Sequence, residues 1–325
     1  MKKIGFPRAL YYYLYYPFWE EFFSALDFEV IVSEPTSKRI LDDGVKVCVN
    51  DACLPIKLFH GHVLDLSAKV DVLFLPRMVS VRTLGTETFC PKFLGLPDII
   101  KSSINDLPMI IDERIDLAKG KNELKNACLR IGERLSRNKK NILKAFKNAQ
   151  LKEKEFQLRL QNGQMGEDAI KNQAGIFEAN AENNKKTRIA FLGYPYLVYD
   201  SFVNVNALEI LRSLGVEIKT VEMLSEKTLL NEKKEIGKDL FWHFSNRVIH
   251  ATLHYLKTGQ IDGLIHVTAF GCGPDSMVDM LMEIEAEKYG VPFLTLSVDE
   301  HTGNAGIATR IEAFFDMISI RGNKK

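Results

Sequence analysis

The chain has 325 residues, of which 46% are hydrophobic and 26% are charged, a composition typical of a globular protein with two domains. Its 43 Lys and Arg residues balance 42 Asp and Glu residues, so the net charge of +1 gives no general attraction to nucleic acid or to anionic membranes. No apolar run is long enough to span a bilayer, and Pro7 and Arg8 interrupt the N-terminal stretch where a secretion signal needs continuous apolar residues. We therefore expect a cytoplasmic protein that binds neither nucleic acid nor membrane.

The first 112 residues alternate short apolar segments with helical patterns, which predicts parallel β-α-β units. Strands are predicted at 3–6, 28–32, 70–75 and 109–111, and helices at 10–26, 53–66 and 92–104. The aromatic run YYYLYYPFWEEFF in the first helix favours a buried core helix over a partner-binding face. Cys48 lies in the segment VKVCVND, which we interpret as a further strand.

Residues 113–186 differ in character and are predicted to form a basic amphipathic helix followed by a polar linker. Residues 119–160 contain 13 Lys and Arg against 4 Asp and Glu, and their apolar residues recur at helical spacing. Cys128 lies on this apolar stripe, so we interpret it as a packing residue. Residues 161–186 are rich in Asn, Gly, Gln and Glu, as a polar linker would be.

Residues 187–325 return to the alternating pattern and are predicted to form a second parallel α/β domain. Strands are predicted at 188–192, 216–221, 261–267 and 292–297. Four segments match four segments of the first domain in the same order: KIGF with RIAF, LDFEVIV with LGVEIKTV, VDVLFL with IDGLIHV, and LPMIIDE with VPFLTLSVDE. The predicted fold is therefore two Rossmann-like parallel-sheet domains, produced by an internal duplication and joined by a long helix.

Three of the five cysteines share one local context, since Cys53, Cys90 and Cys272 each have a proline within the next two residues. Proline favours the first turn of a helix, so all three thiols are predicted at helix N-termini, where N–H groups stabilise a thiolate. Ligand loops of parallel sheets lie at the carboxyl edge of the strands. If the two edges face each other, the three sulfurs converge on one cavity between the domains.

Three convergent thiolates without a nearby histidine suit an iron–sulfur cluster, here a [4Fe-4S] cluster with Cys53, Cys90 and Cys272 as ligands. One iron would then lack a cysteine and could take water, another side chain or substrate. Cys48 is either a fourth ligand or a packed core thiol. The alternative is three separate capped helices with buried thiols and no metal.

The cysteine segments resemble the iron–sulfur proteins related to 2-hydroxyacyl-CoA dehydratase subunits, in the branch of acyl-CoA dehydratase activase-related proteins of unknown function. The resemblance is carried by the segments GFPRAL, YPFWEEFF, ACLPIKLFHGHV, CPKFLGLPDII, HVTAFGCGPDS and SVDEHTGNAGIATRIEAF. It implies two Rossmann-like domains with a cysteine-bound cluster. In the dehydratases that cluster passes one electron to a 2-hydroxyacyl-CoA thioester, and the resulting ketyl radical loses water.

The resemblance also implies a partner, an ATPase activator protein with its own [4Fe-4S] cluster. This chain has no phosphate-binding loop motif of its own, which suits a protein that receives ATP-driven electrons. A small-molecule substrate is expected, and a homo- or hetero-oligomer is compatible with the family.

Polar residues near two of the predicted strand ends are further candidates. Asp299, Glu300 and His301 follow the last strand and can handle protons that accompany electron transfer, or they form a capping turn. Asp275 and Ser276 follow Cys272 and are interpreted as cofactor-binding residues of the helix N-terminus that tune the cluster. We expect an anaerobic iron–sulfur reductase or dehydratase component. The rivals are a non-catalytic cluster-carrying or docking subunit and a metal-free small-molecule binder.

Overall fold

The computed structural model describes residues 1–82, 86–172, 187–233 and 240–322. The chain forms two compact units. The first consists of Met1–Leu158 and Phe241–His243, and the second of Arg159–Leu240 and Phe244–Lys325. The chain therefore returns to the first unit for a short segment before it continues in the second. Within the described ranges, no helix combines the length and the apolar character needed to cross a membrane.

A four-stranded parallel sheet forms the centre of the first unit. The described strands of this unit are β1 (Lys2–Phe6), β2 (Phe28–Val32), β3 (Val72–Phe74), β4 (Arg77–Ser80), β5 (Met109–Ile111) and β6 (Arg114–Asp116). The main sheet has the order β2-β1-β3-β5, and β4 pairs with β6 in a separate parallel ribbon. All residues of β3 are buried, as expected of a central parallel strand covered by helices.

Helices cover this sheet and bury an aromatic core. They are α1 (Tyr12–Ser24), α2 (Lys38–Val47), α3 (Leu54–Ser67), α4 (Pro91–Leu94), α5 (Leu96–Ser103), α6 (Glu123–Arg134) and α7 (Lys139–Gln161), whose last turn belongs to the second unit. The rings of Trp19 and Phe23 lie 4.6 and 4.9 Å from the ring of Phe74, measured between centroids. The aromatic run of α1 therefore forms part of the core, as its sequence indicated.

The prediction of a strand around Cys48 is wrong, because this segment is the end of α2. The helix begins after Ser37, whose Oγ accepts a hydrogen bond from the backbone N–H of Ile40, and it ends at Cys48. Ile40, Leu41 and Gly44 form its buried face. A side chain at Gly44 would clash with the backbone of α3, so the two helices are in direct backbone contact. This packing outweighs the β-propensity of the valines.

The prediction of one continuous helix over 119–160 is also wrong, since the chain turns between α6 and α7. Ser136 adopts a left-handed conformation with φ of 57°. Its N–H donates to Glu133 O, and the N–H of Arg137 donates to Gly132 O, a bond pattern that ends a helix. Asn138 then starts α7, because its Oδ1 accepts a hydrogen bond from the N–H of Asn141. Cys128 is fully buried on α6, which confirms its packing position.

The second unit contains another four-stranded parallel sheet. Its described strands are β7 (Arg188–Gly193), β8 (Glu217–Lys219), β9 (Gly263–Ala269) and β10 (Phe293–Val298), in the order β10-β9-β7-β8. Its described helices are α8 (Gly166–Lys171), α9 (Pro195–Val198), α10 (Ala207–Ser213), α11 (Glu226–Glu232), α12 (His243–Thr258), α13 (Gly273–Lys288) and α14 (Asn304–Gly322). The predicted polar linker contains α8, while its residues 173–186 lie outside the described ranges.

The two main sheets share one strand order when each is read in its own chain order: second, first, third, fourth. Each also has an aspartate just before its third strand that accepts a hydrogen bond from the backbone of the first. Asp71 Oδ2 lies 2.7 Å from Lys3 N, and Asp262 Oδ2 lies 2.9 Å from Arg188 N. These are the strands that the four matched sequence segments predicted to correspond. The common duplicated origin of the two sheets stays a hypothesis.

Candidate functional site

The three cysteines that precede prolines all occupy the residue immediately before a helix. Cys53 precedes α3, Cys90 precedes α4 and Cys272 precedes α13, each with a proline in the first turn. All three are partly exposed, unlike a packed core thiol. The prediction that these thiols lie at helix N-termini is confirmed. Cys272 follows β9, the third strand of its sheet, at the carboxyl edge where ligands bind in parallel α/β folds, whereas Cys90 follows β4 of the separate two-stranded ribbon.

Cys53 and Cys90 belong to the first unit, and their sulfurs are close enough for a negative charge on Cys90 to raise the pKa of Cys53. Burial raises the pKa of both thiols above its ordinary value. Backbone N–H groups of the first helical turns and the charge of Lys92 act in the opposite direction. The N–H groups of the helix N-termini therefore favour the thiolates, as expected, but desolvation is the larger effect and favours the neutral thiols.

Lys92 joins the two segments that carry Cys53 and Cys90. Its Nζ donates a hydrogen bond of 2.7 Å to the backbone carbonyl of Asp51. Asp51 lies two residues before Cys53, and Lys92 lies two residues after Cys90. Its positive charge lowers the pKa of both thiols.

Cys48 is 8% exposed at the end of α2, and burial raises the pKa of its thiol. Its sulfur is near enough to Cys53 for the two charges to interact. Cys128 differs, because its thiol is fully buried and burial raises its pKa far above the ordinary value. Cys128 is therefore an inert packing residue, while Cys48 lies beside the candidate ligands.

Cys272 belongs to the second unit and follows a sharp turn after β9. Gly271 has φ of +72°, in the left-handed region that favours glycine. The hydroxyl of Ser276 is exposed and donates to Gly273 O within the first turn of α13. Asp275 is fully buried in the same turn, where its carboxylate forms an ion pair with His266.

Sequence reasoning missed His266, which is fully buried in the middle of β9. Its Nδ1 donates to Asp279 Oδ1 at 2.7 Å, and its Nε2 lies 3.3 Å from Asp275 Oδ1. Thr295 of β10 also donates to Asp279. Burial alone would lower the pKa of His266, but the charges of the two aspartates outweigh it and raise that pKa to about 9. His266 therefore places a positive charge next to Asp275, in the first turn of the helix that begins after Cys272.

Asp299, Glu300 and His301 form the turn between β10 and α14. Asp299 accepts hydrogen bonds from the His301 N–H at 2.9 Å and from the Thr302 hydroxyl at 2.7 Å. The Thr302 hydroxyl holds the pKa of the Asp299 carboxyl below its ordinary value. Asp299 is therefore engaged inside the turn, as the alternative interpretation of this motif predicted. The His301 side chain is exposed and accessible to another molecule.

The side chains that could bind a metal can be compared with the iron–sulfur cluster that the sequence predicts. In the part of the chain that the structure describes, no three His, Cys, Asp or Glu side chains come together as one metal ion requires. The ligands of an iron–sulfur cluster bind different irons and are therefore spread more widely than those of one ion. Cys53 and Cys90 supply two neighbouring soft donors with N–H groups and a lysine beside them, which fits part of such a ligand set.

Parallel α/β units in which a cysteine followed by proline precedes a helix define a class of protein that presents thiols at helix N-termini. Residues 3–224 match the family model described as CoA enzyme activase uncharacterised domain (DUF2229), and residues 164–318 match 2-hydroxyglutaryl-CoA dehydratase, D-component. The chain belongs to the first of these families, whose model covers more than half of it. Both matches place it in the 2-hydroxyacyl-CoA dehydratase superfamily, which confirms the resemblance seen in the cysteine segments. No curated protein matches the chain significantly.

Proposed function

We propose that this protein binds a [4Fe-4S] cluster through Cys53, Cys90 and Cys272. The cluster receives low-potential electrons from a partner ATPase activator and serves reductive or radical chemistry on a small substrate. The observation that carries the proposal is the setting shared by the three cysteines: each is partly exposed and begins a helix that has proline in its first turn. The family supports an activator as partner.

The chain's own residues have distinct tasks in this proposal. The three cysteines lose their protons and hold the irons, and a bound cluster supplies single electrons at low potential. First-turn N–H groups beside Cys53 and Cys90 stabilise the negative charge on the sulfurs. The exposed His301 can deliver a proton to a substrate held nearby.

The test is anaerobic purification followed by iron and acid-labile sulfide analysis of the wild-type protein and of single cysteine variants. Cys53→Ala, Cys90→Ala and Cys272→Ala should each lose most of the iron. Cys128→Ala is the matched control, since it should keep its iron and lose only packing energy, on the order of 1 kcal/mol. Equal iron content in all four variants would show that the ligand assignment is wrong. A wild-type protein without iron would favour a metal-free small-molecule binder.

A cluster-carrying or docking subunit is the second candidate, and the surface around Cys272 favours it. Phe270 is 71% exposed two residues before Cys272, while Met277 and Met280 of α13 are 52% and 58% exposed. Exposed apolar side chains of this size are typical of surfaces that contact another protein. A carrier would accept electrons from the activator and pass them on without converting a small molecule.

A further inference from the structure

Lys92 is the side chain that connects the two cysteine-bearing segments of the first unit. Asp51 and Lys92 lie 41 residues apart in the chain, and the 2.7 Å hydrogen bond from Lys92 Nζ to the Asp51 carbonyl joins them directly. One segment leads into Cys53 and the other follows Cys90. The separation of these two cysteines therefore depends on a contact made by Lys92.

The hydrogen bond to Asp51 also fixes the ammonium group of Lys92 beside the segment that leads into Cys53, and Lys92 itself lies two residues after Cys90. Each cysteine that binds an iron contributes a negative charge, and burial makes that charge costly. A cation fixed beside two such ligands offsets part of this cost, and it favours the reduced, more negative state of whatever the sulfurs bind.

We propose that Lys92 is a positioning residue for the cluster: through Asp51 it fixes Cys53 relative to Cys90, and its ammonium group raises the reduction potential. This inference rests on the proposed function, because it concerns how the chain holds that cluster. It adds a residue that belongs to neither the cysteine set nor the turn at 299–301. Lysine suits the task, since its flexible stem lets a compact charge reach a backbone carbonyl.

The test compares Lys92→Met with Lys92→Arg, which keeps the charge, and with Lys101→Met as the matched control. Lys101 also lies in the first unit, but it pairs with Asp112. The first measurement uses metal-free protein and a short thiol-specific cross-linker, with the peptide that joins Cys53 to Cys90 quantified by mass spectrometry. Lys92→Met should lower its yield, while Lys92→Arg and Lys101→Met should remain near wild type.

The second measurement uses the cluster-loaded proteins. Lys92→Met should lose iron to a competing chelator with about 10- to 100-fold weaker retention, the usual effect of removing a group that supports metal ligands. The midpoint potential of its remaining cluster should be more negative than that of the wild type, and Lys92→Arg should restore it. A purely structural role would not change the potential in this way.

The outcomes separate this inference from the proposed function. If the wild-type protein holds a cluster and Lys92→Met matches it in cross-link yield, iron retention and potential, the role of Lys92 is wrong and the proposed function stands. If the wild-type protein binds no iron, the proposed function fails, and the cross-linking of metal-free protein still decides whether Lys92 positions the two cysteines.

Discussion

A thiol at a helix N-terminus experiences two opposing effects in this protein. First-turn N–H groups favour the thiolates of Cys53 and Cys90, whereas burial favours the neutral thiols, and burial is the larger effect. Metal binding must therefore displace protons from these residues. If the proposed cluster forms, both cysteines stay neutral thiols until iron is available, rather than permanently reactive nucleophiles.

Replacing His301 tests whether the protein converts a substrate. His301→Ala should leave the iron content unchanged, because its side chain is exposed and its N–H bond to Asp299 is a backbone bond. If His301 supplies a proton, turnover with activator, ATP and a reductant should fall about 100-fold or more. The measurement is substrate conversion beside iron analysis. Full activity in the variant would rule out the proton-donor role and favour the second candidate, a cluster-carrying subunit.

Because of His266, the free energy of unfolding should decrease as the pH becomes alkaline. Its pKa is raised to about 9 in the folded protein, while an unfolded histidine titrates near the ordinary value of 6.5. The stabilisation from its charged form is therefore complete below pH 6.5 and is lost as the pH rises through 9. Denaturant unfolding should show a decrease on the order of a few kcal/mol between these values.

The control for this pH profile is His301, a histidine that is exposed rather than buried. His266→Gln should remove most of the decrease, while His301→Ala should retain it, because His301 is exposed and makes no buried ion pair. A wild-type protein whose unfolding free energy is constant from pH 6 to pH 9 would contradict the buried ion pairs of His266.

The residues that sequence reasoning found and missed differ in a physical way. The thiols at helix N-termini could be predicted because proline has a strong local preference for the first helical turn. His266 could not, since a single histidine within the apolar strand GLIHVTA gives no local sign of a charge. Its only signal was the pair Asp275 and Asp279 on one face of the following helix. The role of Lys92 depends on a contact across 41 residues.

At the scale of elements, the contact between α2 and α3 holds the start of α3, where Cys53 lies. Gly44→Ala should separate these helices, because the added methyl group would overlap the backbone of Lys57. We expect a loss of at least about 2 kcal/mol in the free energy of unfolding, together with reduced iron content. Thermal or denaturant unfolding measures the first effect and iron analysis the second.

Gly306→Ala is the matched control for this substitution. Gly306 also lies in a helix, but among the described residues no atom beyond the adjacent backbone of that helix lies within 4 Å of the position of an added methyl group. Alanine there should be neutral or stabilising by roughly 0.5–1 kcal/mol. If Gly44→Ala behaved like Gly306→Ala, the close helix contact would not exist in solution.

The strands were easier to predict than the helix boundaries. Parallel strands are continuous apolar runs between turns, so the eight strands of the two main sheets could be located from hydrophobicity alone. The end of α6 could not, because Ser136 adopts a left-handed conformation without the glycine that marks such a position. The helix α2 was missed because its stability comes from contact with α3 rather than from its own valines.

At the scale of the whole molecule, the two four-stranded parallel sheets share one strand order. The fold class could be predicted because strands and helices alternate along most of the chain. The first unit, however, also includes α6, most of α7 and the segment Phe241–His243, none of which the pattern assigned to it. Such contacts depend on tertiary packing and leave no periodic signal in the sequence.

The segment Phe241–His243 has a consequence for the order in which the protein is made. Thr88, two residues before Cys90, pairs with Trp242, and His243 Nδ1 lies 2.9 Å from Glu87 Oε1. These contacts cannot form until the ribosome has synthesised residue 243, long after Cys90 has emerged. The support next to this cysteine is therefore completed late in translation. A truncated chain ending near residue 158 would carry both Cys53 and Cys90 and still lack the strand partner beside Cys90.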